Sequence, residues 1–402
     1  MLSCLMTQET DRLFGATKNA RGAAALIDYR RDRRMRVVLL RGAFCVVAVW
    51  LLLLWHFGLR DDAAAAPTVT PTSFDGDAGF GSLPELLPAA DGLWQPPRGG
   101  AASARGIVLI LHACTHSARD FWKRAPECPR CTGLAEEVAL RRAIVAAGFG
   151  VVAFSSANRQ SGCWAGRAEI PAAQNALAAA RSRMPSARRV IALGVSSGGA
   201  MAAELAAAGL VDGAILGVAV LPPRLRTAAL PPLLFHFMAR DKSTTSAAKR
   251  DAAMLQAHGR AEAWECAPLL VADDFFSVRT AGEVSPADSA ALVRVLRVRG
   301  GEPREARGAR ARPLVGESGE LSAAPFVSAW QTALEDAAPA AFARAAAADC
   351  DRTACAQPPC VLSKPLNRAW ALHEYCSDLA APSLRWFEQA WAAAGSSRET
   401  AT

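Results

Sequence analysis

The chain has no Asn-x-Ser/Thr site, so N-linked glycosylation is not expected. It has no glycine-rich phosphate loop, which argues against nucleotide-dependent kinases. No cysteine pair stands with histidine at clean zinc spacing, so no metal is expected, and no motif calls for an organic cofactor. Histidine is scarce, six in 402 residues, which leaves few groups able to serve as a general base. The net charge of +8 suggests nucleic acid until its distribution is read. Residues 1–41 carry nine Lys/Arg against four acids, leaving only +3 for the other 361 residues. That body has no basic stripe interleaved with aromatics, so nucleic acid is not an expected partner.

The basic end, read as a cytosolic tail over 1–41, precedes an apolar run. Residues 42–59 read GAFCVVAVWLLLLWHFGL, with His56 the one polar side chain. At 1.5 Å per residue this run spans about 27 Å, enough for a thin bilayer. A cleaved signal peptide would need an unusually long basic region. A buried core helix is the other reading, but Trp50 and Trp55 beside four Leu suit lipid better. The expected arrangement is a type II signal anchor, with the C-terminal body in the lumen of the endoplasmic reticulum or Golgi, or outside the cell. Nine of the 11 cysteines follow the anchor, which fits an oxidising compartment and structural disulfides. Cys128-Pro-Arg-Cys131 lacks the helix that opens a thioredoxin-type redox site. Residues 60–100, rich in Ala, Pro, Gly, Asp and Thr, read as a flexible stalk.

From about residue 105 the pattern alternates. Apolar runs at 107–111, 151–154, 190–193, 214–221 and 233–238 suit buried parallel strands, with 261–266 a further one. Helical stretches at 134–147, 172–183, 199–208 and 246–258 separate them. The expected class is α/β, a parallel sheet covered on both faces, in a domain over 101–395. Residues 300–365 read as an insertion, with a polar Arg/Gly/Ala-rich surface segment at 300–320. Residues 383–394 make an amphipathic closing helix.

Chemistry concentrates at Gly194-Val195-Ser196-Ser197-Gly198, between an apolar strand and an Ala-rich helix. A serine on a sharp strand-to-helix turn has its hydroxyl pushed out where a base can reach it. Glycines on either side avoid the Cβ clash of such a turn. Upstream, Leu109-Ile-Leu-His-Ala-Cys-Thr-His-Ser-Ala118 resembles the oxyanion strand and loop of α/β-hydrolases. More narrowly, it is similar to the LHGCTQSA segment of polyhydroxybutyrate-depolymerase-like and feruloyl-esterase-like members. Ser155-Ser-Ala-Asn and Ser161-Gly-Cys-Trp164 resemble the next strand end in related secretory hydrolase-like proteins. The resemblance covers about residues 105–275.

It implies an α/β-hydrolase fold in which Ser196 is the nucleophile. The oxyanion donors would be the Ser197 N–H and that of Ala113 or Cys114. Ala113 stands where the family has Gly, so an unusual φ there would be strained. Asp241, just past the run 233–238, falls where the family has its acid, with Asp273 and Asp274 in reserve. A helix-capping Asp is the plain alternative. The base should follow in chain order, which leaves His258 and His373. His373 is favoured, 132 residues beyond Asp241, because His258 reads as a helix-C-terminal histidine. His112 and His116 are expected to orient the oxyanion loop, and His236 to sit in the core. Cys114 and Cys163 are expected to bridge each other or Cys128 and Cys131. Trp164, Phe121 and Trp122 are candidates to line an acyl or aryl pocket, with buried packing the plainer role for any one of them. The implied activity is hydrolysis of a small-molecule, glycan or lipid ester. A non-catalytic scaffold and an acyltransferase with the same triad are the rivals.

Overall fold

A computed structural model describes residues 85–87, 91–226, 229–256, 261–301, 303, 312–348 and 359–399. Both the expected signal anchor at 42–59 and the basic tail fall outside these residues. Among those described, no helix is long and apolar enough to cross a membrane.

In chain order the strands are β1 (Glu85–Leu87), β2 (Gly92–Gln95), β3 (Ile107–Leu111), β4 (Gly150–Phe154), β5 (Val190–Val195), β6 (Gly213–Gly217), β7 (Leu233–Phe237) and β8 (Ala261–Glu265). The helices are α1 (Ala135–Ala146), α2 (Ile170–Arg183), α3 (Ser197–Ala207), α4 (Lys242–Gln256), α5 (Phe275–Arg279), α6 (Pro286–Leu296), α7 (Trp330–Ala337), α8 (Pro339–Ala347), α9 (Cys360–Trp370) and α10 (Ala380–Glu399). All eight strands form one sheet in the order β1-β2-β4-β3-β5-β6-β7-β8. The pairings β1–β2 and β2–β4 are antiparallel and the rest are parallel. This is the mixed sheet with helices that the resemblance implies.

The central strands are apolar along their whole length because both faces are covered. Side chains alternate across a strand. Ile107, Leu109 and Leu111 of β3 therefore pack in one cluster with Leu177 of α2 and Met201 of α3. Val108 and Ile110 pack in the opposite one with Ile144 of α1 and Phe387 of α10. The closing helix runs longer than its periodicity indicated, and Leu384 and Phe387 are its large buried side chains.

Three expectations need correction. The expected stalk over 60–100 contains β1 and β2. Gly92-Leu-Trp-Gln95 has no useful alternation, and only its pairing with β4 makes it a strand. The run 214–221 is a shorter strand, because Val218 turns out of the sheet at φ 39°. The surface reading of 300–320 misses Leu314 and Val315. Both are buried in a third cluster spanning Val271 to Ala369, which gives the accessory helices α5–α9 a core of their own.

Candidate functional site

Ser196 sits between β5 and α3 with φ 56° and ψ −118°. A non-glycine residue in that region is strained, and such strain persists only where surroundings enforce it. Here the Ser196 N–H donates to the Gly217 carbonyl at 2.9 Å, so β6 holds the turn. The two flanking glycines are needed for close approach. A Cβ on Gly194 would stand 2.0 Å from the Gly198 carbonyl oxygen. A Cβ on Gly198 would stand 2.2 Å from the Leu111 carbonyl oxygen and 2.6 Å from that of His112. The elbow is thus pressed against the end of β3, which carries the loop 112–116. Gly198→Ala is expected to lower the melting temperature sharply, overpacking against backbone costing about 1–3 kcal/mol or more. A variant that melts with the wild type would show that the elbow and β3 are not in contact.

The structure brings Ser196, Asp241 and His373 together from three loops. His373 Nε2 lies 3.0 Å from Ser196 Oγ, and His373 Nδ1 lies 2.7 Å from Asp241 Oδ2. The carboxylate is an acceptor, so Nδ1 carries a proton and Nε2 is left to accept from Ser196. Asp241 does the helix-capping work as well. Its Oδ1 accepts from Ser243 Oγ at 2.9 Å and from the Thr244 N–H at 3.3 Å, at the start of α4. Burial pushes this carboxyl up, but the hydrogen bonds from His373, Thr244 and Ser243 outweigh it and hold the group below its usual value. His373 itself has φ 44°, in the loop after α9, and its side chain is 48% exposed.

Loop 112–116 is fixed residue by residue. Trp164 Nε1 donates to the His112 carbonyl at 2.7 Å, and the Thr115 N–H donates to the Ser161 carbonyl at 2.8 Å. His112 Nε2 accepts the Ser156 N–H at 2.9 Å, so Nδ1 is the nitrogen that donates to the Ala113 carbonyl at 2.9 Å. Burial lowers His112 to about 4, which keeps it neutral. The disulfide Cys114–Cys163 ties the loop to the segment after β4, and Cys128–Cys131 and Cys266–Cys376 are also bonded. Of the pairings left open by sequence, Cys114 thus takes Cys163.

Two expectations about this loop change. Thr115, at φ 66°, has the left-handed backbone, while Ala113 is not among the residues of positive φ. In addition, the Ala113 N–H is already bound to Tyr375 Oη at 2.8 Å. Among the described residues no group accepts the Cys114 N–H, which leaves Cys114 as the free donor of the pair. Ser197 opens α3, where backbone N–H groups have no intrahelical acceptor.

Trp164 lines an open cavity of about 410 Å³ beside the elbow, with Arg167, Ser197, Met201, Glu204 and Arg224. The Ser197 hydroxyl is buried there without a partner. Phe121 and Trp122 do not line it. Both are buried in the core on the other side of the sheet, where Trp122 Nε1 donates to Gln95 Oε1 at 3.0 Å. Phe121 closes the short 3₁₀ turn Ala118–Phe121, in which Ala118 and Asp120 are buried as well.

The remaining sequence candidates lie elsewhere. Asp273 is at the surface against Arg297, and Asp274 begins the short helix α5. His258 lies outside the described residues. His236 is a core histidine, Nε2 2.9 Å from Ser383 Oγ, and burial lowers it to about 3. Among the described residues no group of three His, Cys, Asp or Glu is placed to hold a metal ion.

Sequence reading missed Tyr375, Glu374 and Lys364; adjacency to His373 was the signal for the first two, and Lys364, on α9, had none. It also missed the buried acids around His116. His116 Nδ1 is 3.3 Å from Asp120 Oδ2 and 3.0 Å from Glu137 Oε1. Burial and the Lys364 ammonium push this imidazole down, but the two carboxylates outweigh them and raise it to about 9.

The strand order and the strand-to-helix elbow at Ser196 are those expected of an α/β-hydrolase fold, and Ser196, Asp241 and His373 follow in the chain order that the resemblance implies. No family model and no curated protein matches it. Solved structures similar to parts of it include esterases and an acylaminoacyl peptidase. The esterase Pf2001 of Pyrococcus furiosus is 14% identical, over 50% of this chain and 88% of that one, at a TM-score of 0.35. Esterase PE8 is 17% identical over 48% and 96%, at 0.34. A carbohydrate esterase from gut microbiota is 12% identical over 48% and 90%, at 0.37. Likeness at this level identifies neither the substrate nor the reaction.

Proposed function

We propose that this protein is a serine hydrolase acting on carboxylic esters, tethered by residues 42–59 to a secretory-pathway membrane with its catalytic domain lumenal or extracellular. The observation that carries the reaction is the relay of 3.0 Å and 2.7 Å from Ser196 Oγ through His373 to Asp241. A serine hydroxyl is a poor nucleophile until a base takes its proton. As Oγ attacks the ester carbonyl, that proton moves to His373 Nε2, and Asp241 stabilises the imidazolium. The carbonyl oxygen becomes an oxyanion, received by the N–H groups of Cys114 and Ser197. Collapse breaks the ester bond, and the proton on Nε2 goes to the leaving alcohol. Water, deprotonated by the same nitrogen, then cleaves the acyl-serine ester and frees Ser196.

Two details favour this reading over its rivals. An inactive scaffold does not need a base within hydrogen-bond reach of a strained serine. An acyltransferase needs a dry pocket, whereas the His373 side chain is half-exposed and the neighbouring cavity is open. The test is labelling of the purified full-length protein with a fluorophosphonate probe. Labelling is expected in the wild type and lost in Ser196→Ala and His373→Ala. Loss in Ser196→Ala alone would move the base elsewhere, and a folded wild type that does not label would leave the scaffold reading.

A further inference from the structure

Four consecutive residues, His373 to Cys376, are each tied to a different part of the site. His373 meets Ser196 and Asp241. Glu374 Oε2 lies 3.3 Å from Lys364 Nζ on α9, and Cys376 is bonded to Cys266 after β8. These contacts hold the loop in place. Tyr375 instead reaches across to the loop after β3, where its hydroxyl accepts the Ala113 N–H at 2.8 Å.

This tyrosine is one of two in the chain and is fully buried. Its ring stands edge-on to Phe121 at 5.8 Å and lies 5.6 Å from the His116 ring. The charged groups around it are His116, Asp120, Glu137, Lys364 and Glu374. Burial and the nearby carboxylates raise the phenol well above its usual value, so it stays neutral. A fixed, neutral hydroxyl is a steady acceptor for a backbone N–H. Take it away and a partly buried N–H is left unpaired, which is costly. Without the phenol, the His112–Ala113 peptide is held only at its carbonyl end, by Trp164 Nε1, and a shift of the backbone at Ala113 to relieve that cost would re-aim the next amide, that of Cys114.

We propose that Tyr375 is a positioning residue for the oxyanion loop. By accepting the Ala113 N–H it holds the 112–114 backbone so that the Cys114 N–H, and not that of Ala113, is left for the developing oxyanion. Because Tyr375 lies two residues from His373, one segment sets both the base and the oxyanion donor. The inference rests on the serine-hydrolase reading. Ala113 itself has no positive φ, so the position needs no glycine.

Tyr375→Phe removes the hydroxyl and keeps the ring, and it is tested in the full-length protein with a p-nitrophenyl ester. A small displacement of a reacting group costs up to about a hundredfold, so kcat is expected to fall about ten- to a hundredfold while KM stays within about twofold. Affinity for a trifluoromethyl ketone, which mimics the tetrahedral intermediate, should fall in step with kcat. Amide exchange at Ala113 should be slow in the wild type and fast in the variant. An unchanged kcat would overturn the proposal, as would kcat and KM worsening together with a lowered melting temperature. Should the variant not fold, free-loop exchange at Ala113 in the wild type overturns the proposal and protected exchange supports it. A folded wild type inert to both ester and fluorophosphonate would remove the hydrolase reading and the proposal with it, whereas a reactive wild type matched by its variant removes the proposal alone.

Discussion

Ser196→Ala is expected to lower kcat/KM for a p-nitrophenyl ester by about 10⁴- to 10⁶-fold, leaving only what the oxyanion donors and binding supply. His373→Ala should fall into the same range. The double variant should be no worse than either single one, because the two residues act as a unit. Asp241→Asn should cost somewhat less, about 10⁴-fold, through loss of the tautomer that leaves Nε2 free to accept. Its Oδ1 still faces Ser243 and Thr244, so helix capping and stability should change little. Steady-state kinetics on the three variants decide the matter. Ester hydrolysis that survives in Ser196→Ala would sink the assignment. Additive losses in the double variant would show that Ser196 and His373 do not work together.

The largest stability effect is expected away from the site, at Arg279 of α5. Its Nε donates to Glu136 Oε1 of α1 at 2.9 Å, and its Nη1 donates to Asp378 Oδ1 at 2.8 Å. Arg368 of α9 reaches the other oxygen of Asp378 at 3.0 Å and the Ala267 carbonyl at 2.8 Å. Ser377 Oγ donates to Glu136 Oε2 at 3.0 Å. Burial would push Asp378 up, but the two guanidinium groups hold it at about 2. Burial dominates at Glu136 and raises it even with Arg279 beside it. The network joins the accessory helices to the sheet-covering helix α1, where one missing partner leaves a charge with no solvent.

Arg279→Met should therefore cost about 3–5 kcal/mol in urea unfolding. Adding Glu136→Gln should return part of the loss, since an apolar or neutral pair in the same space avoids the stranded carboxylate. A cost below about 1 kcal/mol for Arg279→Met, the range of exposed pairs, would mean that water reaches this network.

The strands and the elbow were legible because their determinants are local. Val190–Leu193 could be read as a buried strand from four apolar residues. Gly194 and Gly198 could be read as elbow glycines because the clash they avoid is with chain nearby in space and sequence or at an adjacent strand end. Asp241 was legible too, since it stands a few residues past β7. By contrast, β2 was hidden in a stretch rich in Pro and Gly, because a four-residue edge strand is defined by its partner and not by its own pattern. Leu314 and Val315 were hidden among arginines and glycines, being only two apolar residues in a polar run.

By itself the sequence determined the α/β alternation, the position of the strained serine and the short list from which a base had to come. Each follows from side-chain period, backbone sterics or composition, which act over a few residues. The tertiary structure alone decided that His373 meets Ser196 across 177 residues and Asp241 across 132, that Cys114 pairs with Cys163, and that Phe121 and Trp122 serve the core. It alone also decided that Tyr375 takes the Ala113 N–H and leaves that of Cys114. These outcomes depend on where loops from distant strands end in space, and hydrogen bonds and disulfides form only over a few ångströms.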